Sequence, residues 1–366
     1  MPRTTDTNPG ERGSSRESGA TTHPREATRI KALTPLLAVL AIVALAALGG
    51  LAHASLVLLA VFVPYSACAV FLIGFCYRVV RWAWAPVPFR IPTTCGQQKS
   101  LPWIKPASLD NPSTGWGAFR RMTLEVLLFR SLFRNNRARL HDQRLVLGED
   151  RYLWLGALAF HWSLLVILLR HLRLFLQPVP VFVSLLSRLD GSFQVGTPAV
   201  YVSDVVVVGA LVYLTARRFR SPQVRYISLP FDYLALFLLL GIVISGLLMR
   251  FVFRVDVAAI KQFALGLAVF HPSVPSTLAP IFLIHLLLVS TLAAYFPFST
   301  LMHMGGVFLS PTRNLANNNR SQRHVNPWNH PVKTHSYAEW EHEFRDKLKI
   351  AKLPLENEDA GKIAFD

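Results

Sequence analysis

Long apolar runs alternate along this chain with shorter stretches that hold almost all of its charge. From Ala32 to Tyr77 there is no Lys, Arg, Asp or Glu. That length accommodates two membrane crossings of about 20 residues each at about 1.5 Å per residue. The stretch GGLAHAS, residues 49–55, is the natural break between them. Further apolar runs cover Leu153–Leu174, Tyr201–Leu214, Asp232–Met249 and Leu278–Phe298. The pattern predicts an all-α protein, a polytopic transmembrane helix bundle of six spans, with Tyr201–Leu214 the shortest.

The spans divide the chain into regions. Residues 1–30 are rich in Ser, Thr, Gly and charge and read as a disordered tail; the first apolar run lies too far in and lacks a cleavage site for a signal peptide. Residues 31–77 hold the two N-terminal helices, 78–151 a long polar loop, 152–303 the remaining spans, and 304–366 a polar, Asn-rich tail. Within the loop, RRMTLEVLLFRSLFRNN (120–136) reads as an amphipathic helix. Leu124, Leu127, Leu128 and Phe133 are expected inward, and Arg120, Arg121, Arg130 and Arg134 outward, on lipid phosphate or a docking partner.

Composition supports a membrane protein, with 52% hydrophobic and 16% charged residues. A net charge of +17 would suit nucleic acid, but the charges lie in the loops between apolar runs, which excludes that class. Lys and Arg number six in the N-terminal tail, thirteen in 78–151, four in 217–225 and nine after His303, against three in 170–200 and three in 250–276. The positive-inside rule then places both termini in the cytoplasm, with the chain multi-pass in the membrane. Cys68, Cys76 and Cys95 have no metal-ligand spacing, so a redox centre must use other ligands.

Four histidines lie in or at the ends of apolar spans: His161 and His171 in the third, His285 and His303 at the sixth. Antiparallel packing of those spans pairs His171 with His285 on the outer side and His161 with His303 on the inner side. Two facing helices thereby supply two axial imidazoles for each of two b-type haems, and no covalent attachment motif is present. His285 and His303 are eighteen residues apart, five helical turns or about 27 Å. His161 and His171 are ten apart, about 15 Å and a quarter-turn off register, a difference that Pro297 must absorb by bending the last turn. Arg170, Arg173, Arg250 and Arg254 stand at outer helix ends, where haem propionates need cations; Arg170 and Arg250 are the candidate propionate or quinone contacts. His53 and His271 read as surface or proton-exchange positions, and His324, His330, His335 and His342 as solvated residues.

The passages YRVVRWAWAPVPFRIPTTCGQQKSLPWIKP, LEVLLFRSLFRN, LAFHWSLLVILLRHLR, FPFSTLMHMGGVFLSPTRNLANNNR and RHVNPWN carry a family resemblance from about Tyr77 to Leu353. They resemble the respiratory nitrate reductase gamma subunit, a five-helix dihaem cytochrome b. They are similar, more closely, to the DsrM-type membrane cytochromes b of the sulfite reductase-associated DsrMKJOP complex, and are related to the membrane subunit of heterodisulfide reductase. The N-terminal tail and an extra first span depart from the five-helix pattern.

The resemblance implies two haem b groups with the histidine pairing given above, and menaquinone as redox substrate. It also implies a quinol site near the outer haem, where Arg170 and Lys261 stand by position only. The partners it implies are a cytoplasmic DsrK-like iron–sulfur subunit acting on DsrC trisulfide or disulfide in dissimilatory sulfur metabolism, and DsrJ-, DsrO- and DsrP-like subunits. Two alternatives stand beside this reading: a quinone-reactive anchor of another respiratory reductase, and a proton-coupled transporter whose histidines relay protons. The transporter predicts internal repeats, and residues 30–150 and 150–300 show none. No iron–sulfur or flavin motif is present, so substrate chemistry is expected on another subunit.

Overall fold

A computed structural model describes residues 24–49, 53–85, 97–99, 101–133, 137–141, 144–148, 150–192, 198–275, 278–318 and 334–356. His324 and His330, Cys95 and the motif at 323–329 lie outside them. The chain runs through α1 (Pro24–Gly49), α2 (His53–Val57), α3 (Val63–Ala83), α4 (Gly115–Leu128) and α5 (Arg130–Phe133). A hairpin of β1 (Arg137–His141) and β2 (Arg144–Gly148) follows. Then come α6 (Arg151–Phe175), α7 (Val181–Asp190), α8 (Val202–Arg220), α9 (Pro222–Ile227) and α10 (Pro230–Leu247). The remainder is α11 (Val257–Ala268), α12 (Pro280–Tyr295), α13 (His303–Gly306) and α14 (Tyr337–Ile350).

The architecture is the helical bundle expected from the apolar runs. Among the described residues five helical stretches are long and apolar enough to cross a membrane: Ile30–Gly49, Ser55–Ala83, Arg151–Phe175, Pro230–Val252 and Pro280–Phe298. The sixth expected span corresponds to α8, 19 residues with Asp204 in its first turn and Arg217, Arg218 and Arg220 in its last. Its charge gathers at the two ends, and its middle packs between α6 and α10. Lipid-sized apolar side chains point outward along the bundle, among them Leu48, Ile73 and Leu168.

Buried residues are small or aliphatic where helices meet. Val207 and Leu211 of α8 pack on Leu239 of α10. The extra N-terminal helix is part of this core, since Val39 of α1 packs with Leu238 of α10 and Leu288 of α12. Ala46 of α1 closes on Leu59 and Leu287. Ion pairs tie helix ends together at one face of the bundle. Asp150 caps α6 by accepting from Leu153 N (3.2 Å) and binds Arg217 Nη2 of α8 (3.1 Å). Asp232 accepts from Leu229 N at the start of α10 (3.0 Å) and lies 3.4 Å from Arg218 Nη1. Acidic first turns meeting a basic last turn suit the helix dipoles as well as the charges.

The amphipathic helix of the loop is α4, but its faces differ from expectation. Arg121 is buried and donates to Thr312 O, and Glu125 is buried and accepts from Ser131 N (3.0 Å), whereas Leu127 and Leu128 are exposed. The reason is tertiary for Arg121, whose partner Thr312 lies on the segment after α13, and local for Glu125, onto which Ser131 folds back; Arg120 is exposed as expected, and Arg134 lies outside the described residues. Asn317 donates to Pro112 O (2.7 Å) and to Asn111 Oδ1 (3.0 Å), stapling that segment to the loop.

Candidate haem-ligand pairs

Helix α6 carries two of the four histidines on a 25-residue rod, His161 toward its start and His171 toward its end. The other two do not share one helix. Straight α-helix ends at Tyr295; a 3₁₀ turn at Phe296–Phe298, extended Ser299 (φ −111°, ψ 175°) and a second 3₁₀ turn at Thr300–Met302 precede His303, the first residue of α13. The five-turn, 27 Å separation read from spacing is therefore corrected. Pro297, fully buried, sits at the break, and the axis of α12 does not continue to His303. Gly74 of α3 makes the break compact, because a Cβ there would stand 2.7 Å from Pro297 Cβ.

This break resolves the mismatch between spacings of ten and eighteen. It brings His303 to His161 with ring centroids 5.9 Å apart and planes at 81°. His161 is also flanked edge-on by Phe129 and Phe160, each at 4.9 Å. Phe129 caps α4 with a left-handed backbone (φ 49°), a conformation costly for a bulky residue. That turn swings its ring from α4 onto α6. Two indoles of α6 hold the same turn in place: Trp154 Nε1 donates to Leu128 O (2.6 Å) and Trp162 Nε1 to Leu127 O (3.0 Å). The carbonyls left free at a helix C-terminus are thus satisfied from the neighbouring helix.

The opposite end of α6 carries His171, and His285 stands within α12. The surroundings are ionic. Arg170 is buried, with Nη1 donating to Asp190 Oδ2 (2.5 Å), Ser203 Oγ (2.9 Å) and Asp204 Oδ1 (3.4 Å). Its guanidinium stacks on Tyr201 at 3.3 Å, and Arg250 stacks on the same ring at 4.3 Å. Arg250 also donates from Nη2 (2.6 Å) and Nε (3.2 Å) to Ala199 O. It lies in a π-helical turn, Leu248–Val252, that ends α10. Arg170 and Arg250 thus meet on Tyr201, a convergence the sequence did not reveal. Lys261 is half-buried on α11, and His271, His335 and His342 are exposed.

The four histidines share one feature. Nδ1 of His161 bonds Ala157 O (2.7 Å), Nδ1 of His171 bonds Ile167 O (2.7 Å), and Nδ1 of His303 bonds Thr300 O (2.8 Å). Nδ1 of His285 bonds Ser245 Oγ (2.9 Å). A ring that donates Nδ1–H keeps the Nε2 lone pair for a metal, and such second partners fix ring orientation and tautomer. Among the described residues no group of three His, Cys, Asp or Glu converges as an all-protein metal site needs. A haem asks for one imidazole on each side. Two imidazoles on one metal, at bonds of about 2.0–2.1 Å, place their centroids roughly 6 Å apart. The spacing of His161 and His303 fits that requirement.

Fold and site together define a multi-pass helical membrane protein with four histidines in or beside its spans, two of which, His161 and His303, meet. A family model described as nitrate reductase gamma subunit matches residues 115–322, more than half of the chain. The Hdr-like menaquinol oxidoreductase cytochrome b-like subunit of Archaeoglobus fulgidus is 48% identical over 279 residues, 74% of this chain and 83% of that protein. The protein of the same description from Archaeoglobus profundus is 45% identical over 277 residues, 73% of this chain and 81% of its own. This chain belongs to the nitrate reductase gamma subunit family.

Proposed function

We propose that this protein is a quinone-linked dihaem cytochrome b that exchanges electrons between membrane menaquinone and a cytoplasmic iron–sulfur subunit. The observation that carries the reading is the common state of the four histidines, each with Nδ1 engaged and Nε2 left to ligate. His171 and His285 hold the outer haem b, His161 and His303 the inner one. Each haem, when bound, supplies a one-electron couple. Arg170 and Arg250 are the proposed cations for propionate or quinone at the outer level. Arg170 Nε is buried and, among the described residues, without a hydrogen-bond partner.

The names of the relatives support menaquinol as the electron donor. The lysine and arginine asymmetry supports cytoplasmic termini, which puts α4 and the segment stapled to it on the cytoplasmic side. There they offer a surface for a DsrK-like iron–sulfur subunit, within a DsrMKJOP-type assembly of dissimilatory sulfur metabolism. Phe129 links that surface to His161 by direct ring contact.

The deciding experiment is a dithionite-reduced minus oxidised spectrum of the purified chain, with haem quantified as the pyridine haemochrome. Two haem b per chain, reducible by a menaquinol analogue, are expected. No haem in protein made with adequate haem supply would overturn the assignment. Deleting the tail after Leu309 is expected to release the iron–sulfur subunit from membranes while both haems remain.

A further inference from the structure

Three of the four histidines take their Nδ1 partner from a backbone carbonyl three or four residues earlier in the chain. His285 does not. Its Nδ1 instead reaches another helix, where it meets Ser245 Oγ of α10 at 2.9 Å beside the carbonyl of Ile242. Ser245 is buried, 3% exposed, and its Oγ also lies 3.0 Å from Ile242 O on its own helix. A serine hydroxyl has one hydrogen to give and lone pairs to accept with. With that hydrogen on Ile242 O, Oγ accepts Nδ1–H of His285.

We propose that Ser245 is the positioning residue of the outer site: it fixes the Nδ1–H tautomer of His285 and so directs the bare Nε2 toward the metal. The inference rests on the dihaem reading. It makes the two sites unequal, because a side-chain hydroxyl on a neighbouring helix takes the place of the carbonyl three or four residues back that serves the other three rings. It also ties His285 to α10, the helix whose π turn carries Arg250 onto Tyr201. An acceptor at Nδ1–H raises the basicity of the ligand and favours the oxidised iron; removing it makes the haem easier to reduce.

The test compares Ser245→Ala and Ser245→Thr in the full chain by potentiometric titration, low-temperature EPR and haem content. In otherwise wild-type protein, Ser245→Ala is expected to move one of two midpoint potentials upward and leave the other in place. The affected haem is expected to be held roughly 10–100-fold less tightly. Ser245→Thr, which keeps the hydroxyl, is expected to restore both. In a His303→Ala background, which retains only the outer site, Ser245→Ala is expected to shift the remaining haem; in a His285→Ala background it is expected to shift nothing. Two haems per chain with both potentials and EPR signals unmoved by Ser245→Ala would overturn the role of Ser245 and leave the dihaem reading standing. An equal shift in the His285→Ala background would overturn it too, by exposing a general packing effect. A wild-type chain without haem would remove the dihaem reading itself, and the role of Ser245 with it.

Discussion

The two histidine pairs sit at opposite ends of α6 and are built from different materials. Around His161 and His303 the neighbours are rings and backbone: Phe129, Phe160 and a turn latched by Trp154 and Trp162. Around His171 and His285 they are ions and hydroxyls: Arg170, Asp190, Asp204, Arg250, Tyr201 and Ser245. The first end fixes its ligands by packing and places them next to the loop helix. The second holds several titratable groups, the material a site exchanging protons with quinol requires. One fold therefore offers a packed, aromatic setting toward one end of α6 and an ionic one toward the other.

The comparison breaks most sharply if one end is removed at a time. His303→Ala and His285→Ala are each expected to lower haem from two to one per chain, the first leaving a haem that menaquinol still reduces, the second leaving one that it does not. Measuring haem content beside quinol-dependent reduction tells them apart; equal haem in both variants and the parent would defeat the ligand assignment.

Next in size is the ionic end itself. Asp190→Ala leaves Arg170 buried with its nearest carboxylate gone, and breaking such a pair costs about 3–5 kcal/mol. Thermal unfolding in detergent should show that loss, and a double change with Arg170→Leu should recover part of it. If Asp190→Ala unfolds like wild type, the ion cluster contributes little to the fold.

At the packed end the expected effects are smaller. Gly74→Val pushes a side chain into Pro297, and overpacking of this kind costs about 1–3 kcal/mol. The shift should pass along the break to His303, disturbing the EPR signal of the inner haem while the outer one keeps its shape. Smallest is Trp154→Phe, which keeps a ring edge-on to Phe133 and removes one hydrogen bond to Leu128 O, worth about 1 kcal/mol. Melting temperature reads that change, and a loss well above it would mean that the indole also orders the partner surface.

Much of this was legible in the sequence. Charge-free stretches fixed the helices of the bundle, since a segment that must cross hydrocarbon satisfies its backbone only within itself. The four histidines stood out as ligating groups in or beside apolar runs. The inward and outward faces of α4 were not legible, because Arg121 is buried against Thr312, 191 residues on in the chain, and Ser131 folds back onto Glu125 past the left-handed turn at Phe129. Asp190 and Asp204 offered a weak signal, as carboxylates beside apolar runs that also hold an arginine. Ser245 offered less, one small polar residue within α10.

The sequence alone determined that this is a membrane helix bundle with four histidines in or beside its apolar runs. Periodicity and charge-free length are local properties, and local hydrogen bonding turns them into helices. Only the tertiary structure decided which rings meet. His303 reaches His161 because the chain breaks at Phe296–Ser299, and His285 is oriented by Ser245 because α10 packs beside α12. Those contacts join residues from 40 to more than 140 positions apart, and they depend on helix packing that no short stretch of sequence encodes.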